Sequence, residues 1–185
     1  MLPENSQRHV YLTPEQVEFI ARKADPIAGD MIRFAALTGL RLAEMLGLTP
    51  DSVRNGIVIL DEKTKGGKPR GVPLPADAIR IAAERLPWAY SRDQIRDRWL
   101  AAREAAELPH VRWHDLRHTY ASWLVQAGQP LTVVRDLMGH SSLIVTNRYA
   151  HLAPAHLAAA VASLPSLGGE KVGKTRRHAS RKKSA

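Results

Sequence analysis

The chain has 185 residues, of which 44% are apolar and 5% aromatic. The length suits one domain. The composition suits a core built mainly from aliphatic side chains, which favours helices. It contains no cysteine, which excludes disulfides, thiolate metal sites and a cysteine nucleophile. The net charge is +9, but residues 171–185 carry seven Lys or Arg and no acid, which leaves 20 basic against 18 acidic residues in 1–170. Such a tail suits a polyanionic partner or a solubilising end, and both readings stay open.

Helices are predicted for the N-terminal quarter of the chain. Thr13 can cap a helix whose first turn holds a proline and a glutamine, and that helix ends near Lys23. An apolar helix over 27–38 stops at Gly39, and a short helix opens at Arg41. No signal peptide and no membrane-spanning run is present in the sequence given, so we expect no membrane partner.

A β-hairpin interrupts this helical pattern. "LTPDSV" predicts a turn, and the β-branched run 56–60 predicts a strand whose partner is 70–75. The tip between the two strands holds Gly66-Gly67 and several lysines. Further helices are predicted over 76–86, 91–106, 114–127, 131–138, 142–150 and 154–163. The fold class is therefore mainly α with a small antiparallel β-sheet at one edge (α+β).

The domain organisation follows from the same pattern. Residues 1–12 form an N-terminal extension, and residues 13–164 form one domain. Residues 165–185 lose helical periodicity and form a basic tail that we expect to be disordered.

The stretch "HDLRHTY" raises the question of a metal site. His114 and His118 are four residues apart, a spacing with which helices hold zinc. Arg117 lies between them, cannot ligate a metal and would repel one. The guanidinium fork matches phosphate oxygens instead, so this face of the helix favours an anion over a metal.

Four more residues bear on the anion hypothesis, although each also has an ordinary explanation. Arg41 opens a helix in an apolar stretch, but it could simply pair with Glu44. Lys65 lies at the hairpin tip, where lysines are common on any surface. His140 follows Gly139, and Tyr149, nine residues on, could be a partly buried aromatic.

Four blocks of the sequence carry a family resemblance. "TGLRLAEMLGL", "TKGGKPRGVPLP", "HDLRHTYASWL" and "LMGHSSLIVTNRYAHL" occur in the order of the signature blocks of the tyrosine recombinase (phage integrase) catalytic domain, which residues 10–155 resemble. The resemblance implies that fold, and an enzyme that cleaves and rejoins DNA through a 3′-phosphotyrosine without metal, ATP or other cofactor.

The resemblance also implies roles at the phosphate. Arg41 and Arg117 would hold the non-bridging oxygens, and His140 would donate a hydrogen bond to the phosphate. His114 would contact the phosphate and is a candidate proton acceptor. Tyr149 would be the nucleophile.

Supporting roles are predicted for several further residues. Lys65 would be the general acid for the 5′ oxygen, with Lys68 as the alternative, and Lys63, Lys68 and Arg70 are candidate DNA contacts. Glu44 would support Arg41, and His118 is expected to be structural or to lie just behind the site. Tyr120 falls on the core face of its helix and should pack there.

The partner implied by the resemblance is double-stranded DNA. Family members usually carry a DNA-binding domain before the catalytic one, whereas about a dozen residues precede the first helix here, so we expect weak, salt-sensitive binding. The segment 154–163 would join protomers into a tetramer on DNA, while the free chain could be monomeric. We expect a cytoplasmic protein of prokaryotic or phage origin. A type IB topoisomerase, or a DNA-binding remnant that no longer cleaves, are the alternatives.

Overall fold

A computed structural model describes residues 10–60 and 69–153. The helices of these two segments are α1 (Pro14–Lys23), α2 (Pro26–Thr38), α3 (Leu42–Leu46), α4 (Ala76–Arg85), α5 (Arg92–Ala105), α6 (Trp113–Gln126), α7 (Leu131–Met138) and α8 (Leu143–Thr146). Short 3₁₀ helices cover Pro50–Ser52 and Asn147–Leu152, and the strands are β1 (Val53–Arg54), β2 (Ile57–Leu60) and β3 (Arg70–Pro73). Within the described segments no helix combines the length and the apolar character needed to cross a membrane.

The helix boundaries follow from local capping chemistry. The Thr13 hydroxyl accepts from the backbone of Gln16, whose side chain accepts from the Thr13 backbone N–H, so the capping box predicted for α1 is confirmed. Asp25 caps α2 by accepting from two backbone amides. α2 ends at Gly39, which adopts the left-handed conformation at φ 63°.

The sheet contains one strand more than the sequence predicts. Its order is β1-β2-β3, both pairs are antiparallel, and Val58 lies opposite Val72 with both side chains fully buried. β1 lies where "LTPDSV" predicted only a turn. It pairs with β2 across Asn55-Gly56, both at positive φ, so this dipeptide makes a hairpin too short to show strand periodicity.

Two groups of buried side chains form the core. The larger group includes α2, which packs against α1, α4 and α6 and whose Met31, Ile32 and Phe34 are completely buried. The smaller group joins α6 to the C-terminal part of the described chain through Tyr120, Val125, Val134, Met138 and Tyr149. The prediction that Tyr120 packs in the core is confirmed, because its side chain is buried here.

The helix predicted over 142–150 is only partly present. α8 ends at Thr146, and the chain continues as the 3₁₀ helix that carries Tyr149. The run Ile144-Val145-Thr146 is β-branched, which weakens an α-helix. The predicted helix 154–163, the tail 165–185 and the hairpin tip with Lys63, Lys65 and Lys68 lie outside the described residues.

Candidate active site

Most of the predicted site residues meet in one open cleft between α3, α6 and the segment that follows α7. Its polar lining comprises Arg41, His114, Arg117, His118, His140, Ser141, Arg148 and Tyr149. Residues more than one hundred positions apart in the sequence are therefore neighbours in the fold. The cleft brings together five of the six residues predicted to be catalytic, and the sixth, Lys65, lies outside the described residues.

Glu44 holds Arg41 at the mouth of this cleft. One Glu44 oxygen lies 2.8 Å from Arg41 Nη1, and the other accepts from the Arg41 backbone N–H at 2.8 Å. The Arg41 side chain is 41% exposed, so the rest of its guanidinium is open to a ligand. The pairing predicted between Glu44 and Arg41 is present, and it orients the arginine toward the cleft.

Arg70 corrects a prediction made from the sequence. Its side chain is only 8% exposed and makes two hydrogen bonds to the Glu44 carboxylate, at 2.9 and 3.1 Å, with a third to the Leu137 carbonyl. A guanidinium used in this way is not available on a DNA-facing surface. Arg70 instead supports Arg41 through their shared carboxylate.

Arg117 is a buried cation at the floor of the cleft. Its side chain donates to the carbonyls of Gly39 and Met138, at the C-terminal ends of α2 and α7, where the helix dipoles favour positive charge. Burial, and then the charge of Arg41, lower its pKa to about 10, so it stays protonated at neutral pH. The two carbonyls fix the guanidinium in place before any ligand binds.

Tyr149 is in direct contact with His118. The Tyr149 hydroxyl lies 2.5 Å from His118 Nδ1, and the tyrosine is only 3% exposed. The His118 ring also meets the His114 ring edge to face, with centroids 4.9 Å apart. His118, predicted to be structural or to lie just behind the site, contacts the predicted nucleophile directly through its ring.

The three histidines of the cleft share one electrostatic environment. Burial, and then the charges of neighbouring side chains, lower the pKa of His118 and of His140 to about 4, and they lower the pKa of His114 as well. His118 and His140 are thus neutral at pH 7 in the ligand-free protein. Burial raises the pKa of Tyr149 against the opposing effect of Arg148 and Arg117, so the phenol keeps its proton.

His140 is oriented by a buried hydroxyl. Its Nδ1 lies 3.0 Å from Thr146 Oγ1, and Thr146 is completely buried. The pair fixes the imidazole against α8, leaving Nε2 for a ligand. Among residues 10–60 and 69–153, no three His, Asp or Glu side chains are grouped so that they could hold a metal ion.

Arg148 is the charged lining residue that the sequence analysis did not predict, and Ser141 is a polar one. Arg148 contributes a third arginine to the cleft, and its Nε donates to the Val145 carbonyl. Its position in the sequence, immediately before the predicted nucleophile Tyr149, was the signal that could have identified it. Arg148 and Tyr149 are adjacent on the 3₁₀ helix that follows α8, and both line the cleft.

A model of the phage integrase family matches residues 11–156, most of the chain. The chain belongs to the phage integrase family. This phage integrase family member is 30% identical to the integrase of Salmonella phage P22, over 92% of its own length and 50% of the relative's. It is 33% identical to the tyrosine recombinase XerC of Pelobacter propionicus, over 62% and 44% of the two chains. The chain thus spans about half the length of the curated relatives it matches.

Solved structures agree with the family at the level of the fold. The catalytic domain of bacteriophage HP1 integrase superposes with a TM-score of 0.68 at 28% identity, over 83% of this chain and 94% of that one. XerA recombinase superposes with a TM-score of 0.65 at 19% identity, over 85% and 66% of the two chains, which supports the fold alone. The predicted fold, a mainly helical tyrosine recombinase catalytic domain with a small antiparallel sheet, is confirmed.

Proposed function

We propose that the chain is the catalytic part of a site-specific DNA recombinase or integrase, which cleaves and rejoins double-stranded DNA through a 3′-phosphotyrosine. The observation that carries the proposal is the presence of the Tyr149 hydroxyl in the same cleft as two fixed arginines, Arg41 and Arg117. Residues 13–164 would form this catalytic domain. Its setting would be the cytoplasm of a bacterium, since the relatives are phage and bacterial proteins.

The cleft suits a phosphodiester undergoing transfer. In such a reaction negative charge gathers on the non-bridging oxygens, and fixed cations and donors lower the barrier most. Arg117 would hold one oxygen from the buried floor, and Arg41 would hold the other from the mouth. His114 and His140 would add hydrogen bonds, so these four side chains would serve where other enzymes use metal ions.

Tyr149 would be the nucleophile, and a lysine of the hairpin tip would be the general acid. A free phenol titrates near pH ~10, so attack at neutral pH requires that its proton be removed as the bond forms. The departing 5′ oxygen is a poor leaving group and needs a proton, which we assign to Lys65 with Lys68 as the alternative. The resulting phosphotyrosine would keep the ester bond energy, so rejoining to a new strand would need no ATP.

DNA and other protomers are the proposed partners. Integrase of the Tn1549 transposon has been solved in complex with transposon right end DNA, at 21% identity to this chain. For this chain we propose binding to duplex DNA, and assembly there as a tetramer through residues 154–163. Removing residues 153–185 should lower assembly on DNA while leaving the fold intact, and unchanged assembly in native gels would contradict the assembly proposal.

A covalent trap tests the proposed reaction. A pool of nicked duplexes with a randomised stretch lets the cleaved end diffuse away, so that cleavage leaves a stable protein–DNA adduct on a denaturing gel. Wild type should form the adduct and Tyr149→Phe should not. The recovered DNA identifies a site for later kinetics.

Tyr120→Phe is the matched control, since the same hydroxyl is removed from a packed tyrosine of the same core group. It should form the adduct as wild type does. Adduct loss in Tyr120→Phe but not in Tyr149→Phe would overturn the assignment of the nucleophile. A wild-type chain that binds DNA without any adduct would favour the non-cleaving remnant, and relaxation of supercoils without strand exchange would favour a topoisomerase.

A further inference from the structure

The hydroxyl of Tyr149 has a specific partner in the protein. His118 Nδ1 lies 2.5 Å from it, whereas the tyrosine ring is buried among Tyr120, Val125 and Met138. We infer that His118 is the catalytic residue that takes the phenolic proton of Tyr149 as the tyrosine attacks the phosphate. The inference rests on the proposed strand-transfer reaction and names its proton acceptor.

The chemistry of the two groups assigns the tautomer of His118. The phenol is the better donor of the pair, so Nδ1 accepts and the ring proton resides on Nε2. An imidazole can accept only while it is neutral, and burial together with His114 and the nearby arginines keeps the pKa of His118 at about 4. His118 is therefore ready to accept at neutral pH before DNA arrives.

A bound phosphate would make the transfer easier. The low pKa of His118 reflects burial and then the nearby cationic or cation-forming side chains, in the order His114, Arg148, Arg117 and His140. A phosphodiester in the cleft adds negative charge beside these same groups. That charge favours the imidazolium, so the basicity of His118 rises at the moment the proton must move.

His114 is the competing acceptor, since the family resemblance implies that role for it. Its ring lies edge to face on His118 rather than on Tyr149, and within the described residues its ring nitrogens make no hydrogen bond. His114 also lines the cleft, and it is more exposed to solvent than His118. The two histidines therefore have different roles: His114 is open to the phosphate, and His118 contacts the nucleophile.

The step balances without any additional reagent. The O–H bond of Tyr149 breaks and an N–H bond forms at His118 Nδ1, while the phenolic oxygen bonds to phosphorus. The bond from phosphorus to the 5′ oxygen breaks, and that oxygen takes its proton from the general acid of the proposed function, Lys65. On rejoining, a 5′ hydroxyl bonds to phosphorus and gives its proton back to neutral Lys65, while the bond from phosphorus to Tyr149 breaks and the His118 imidazolium returns its proton to the departing phenolate.

His118→Asn separates proton acceptance from positioning. The asparagine Oδ1 falls near the place of Nδ1, so it can accept the same hydrogen bond but cannot hold the proton at neutral pH. Single-turnover adduct formation on the nicked duplex recovered from the pool should fall about 10²-fold or more, while thermal unfolding is unchanged. His118→Gln, which also lacks a basic nitrogen, is the second variant if the asparagine variant does not fold.

A substrate with a 5′-bridging sulfur distinguishes an acceptor from a donor. A thiolate leaves without being protonated, so this substrate should restore adduct formation to Lys65→Ala and leave His118→Asn slow. Restoration of His118→Asn would assign His118 to the leaving group and overturn the inference. Wild-type rates in His118→Asn on the ordinary substrate would overturn it as well.

Nitrogen NMR of ¹⁵N-histidine protein tests the contact without DNA. His118 should show the Nε2–H tautomer, and its Nδ1 resonance should move in Tyr149→Phe but stay in Tyr120→Phe. An unmoved Nδ1 resonance would contradict the contact and with it the inference. Absence of any adduct from wild-type protein would instead contradict the proposed function, on which the inference depends.

Discussion

Glu44 pairs with two arginines of the site that differ in their exposure to solvent. Its carboxylate is 1% exposed and is shared by Arg41, at 41% exposure, and Arg70, at 8%. Burial alone would raise the pKa of Glu44, but hydrogen bonds from Arg70 and from the Arg41 backbone lower it below its ordinary value. The carboxylate is therefore charged, and it neutralises a guanidinium that has little water around it.

Glu44→Gln should consequently lower the free energy of unfolding by about 3 kcal/mol, because it leaves Arg70 buried without its counter-charge. Arg41→Gln removes the exposed partner of the same carboxylate and should cost less than about 1 kcal/mol. Urea unfolding of the two variants and wild type measures both. Equal losses would contradict the assignment of Arg70 as the structural partner.

The histidines of the cleft predict a pH dependence of stability. The pKa of His118 and of His140 is about 4 in the folded chain, against an ordinary value of 6.5. Between these values the unfolded chain binds more protons, so the free energy of unfolding should fall as the pH is lowered from about 6.5 to 4. His140→Asn, which can keep the contact to Thr146, should flatten this part of the curve. Urea midpoints that change equally with pH in wild type and His140→Asn would contradict the prediction.

At the residue scale, the residues of the cleft were easier to predict from the sequence than the contacts that each side chain makes. The cleft contains Arg41, His114, Arg117, His140 and Tyr149, as their residue types and the family resemblance suggested. Arg70 was misassigned because its partner Glu44 is 26 positions away and no local pattern reveals that pairing. The contact between His118 and Tyr149 spans 31 positions and depends in the same way on the tertiary fold.

At the element scale, the end of α2 ties helix termination to the site. Gly39 has φ 63°, and a Cβ placed on it would lie 2.3 Å from Cδ1 of Tyr120. Its carbonyl also accepts a hydrogen bond from Arg117. The glycine is therefore required by its backbone conformation and by the tyrosine packed against it.

Gly39→Ala should lower the free energy of unfolding by about 2 to 4 kcal/mol, since it combines left-handed strain with the displacement of a buried ring. Adduct formation should fall too, because the carbonyl that holds Arg117 moves. Gly47→Ala is the matched control: Gly47 has φ −84° and the nearest atom to its added Cβ is 3.6 Å away, so a change below about 1 kcal/mol is expected. Comparable losses in the two variants, measured by urea unfolding, would refute this account.

Elements with strong local signals were predicted closely, and short ones were not. The capping residues placed α1 to within a residue, whereas β1 has only two residues and no periodicity to detect. Asn55-Gly56 was a usable hairpin signal that was overlooked. The change from α8 to a 3₁₀ helix at Asn147 coincides with the burial of Tyr149 in the smaller core group. The β-branched run 144–146 was a local signal for the end of the α-helix that the prediction did not use.

At the scale of the whole molecule, charge is unevenly distributed along the chain. Seven Lys or Arg of residues 171–185 account for most of the net charge of +9. We expect non-specific DNA affinity to depend strongly on them, because each phosphate that a cation neutralises releases a counterion and steepens the salt dependence.

Deleting residues 171–185 should therefore flatten the plot of log affinity against log salt, by up to about 0.9 for each phosphate that the tail neutralises. A chain with the same tail residues in shuffled order is the control and should keep the full slope. Fluorescence anisotropy with a duplex of arbitrary sequence measures both. Equal slopes for the truncated and full chains would show that the tail does not bind DNA.

Arg117 links the two groups of core residues through hydrogen bonds from one guanidinium. One of its carbonyl partners ends α2, in the larger group, and the other ends α7, in the smaller group that contains Tyr149. Were α7 to swing outward with the segment that follows it, a buried cation would lose one of its two acceptors. Electrostatic cost, as much as apolar packing, therefore opposes release of the segment that carries Tyr149, the proposed nucleophile. The same guanidinium, proposed to hold the phosphate, thus ties the position of that segment to its own.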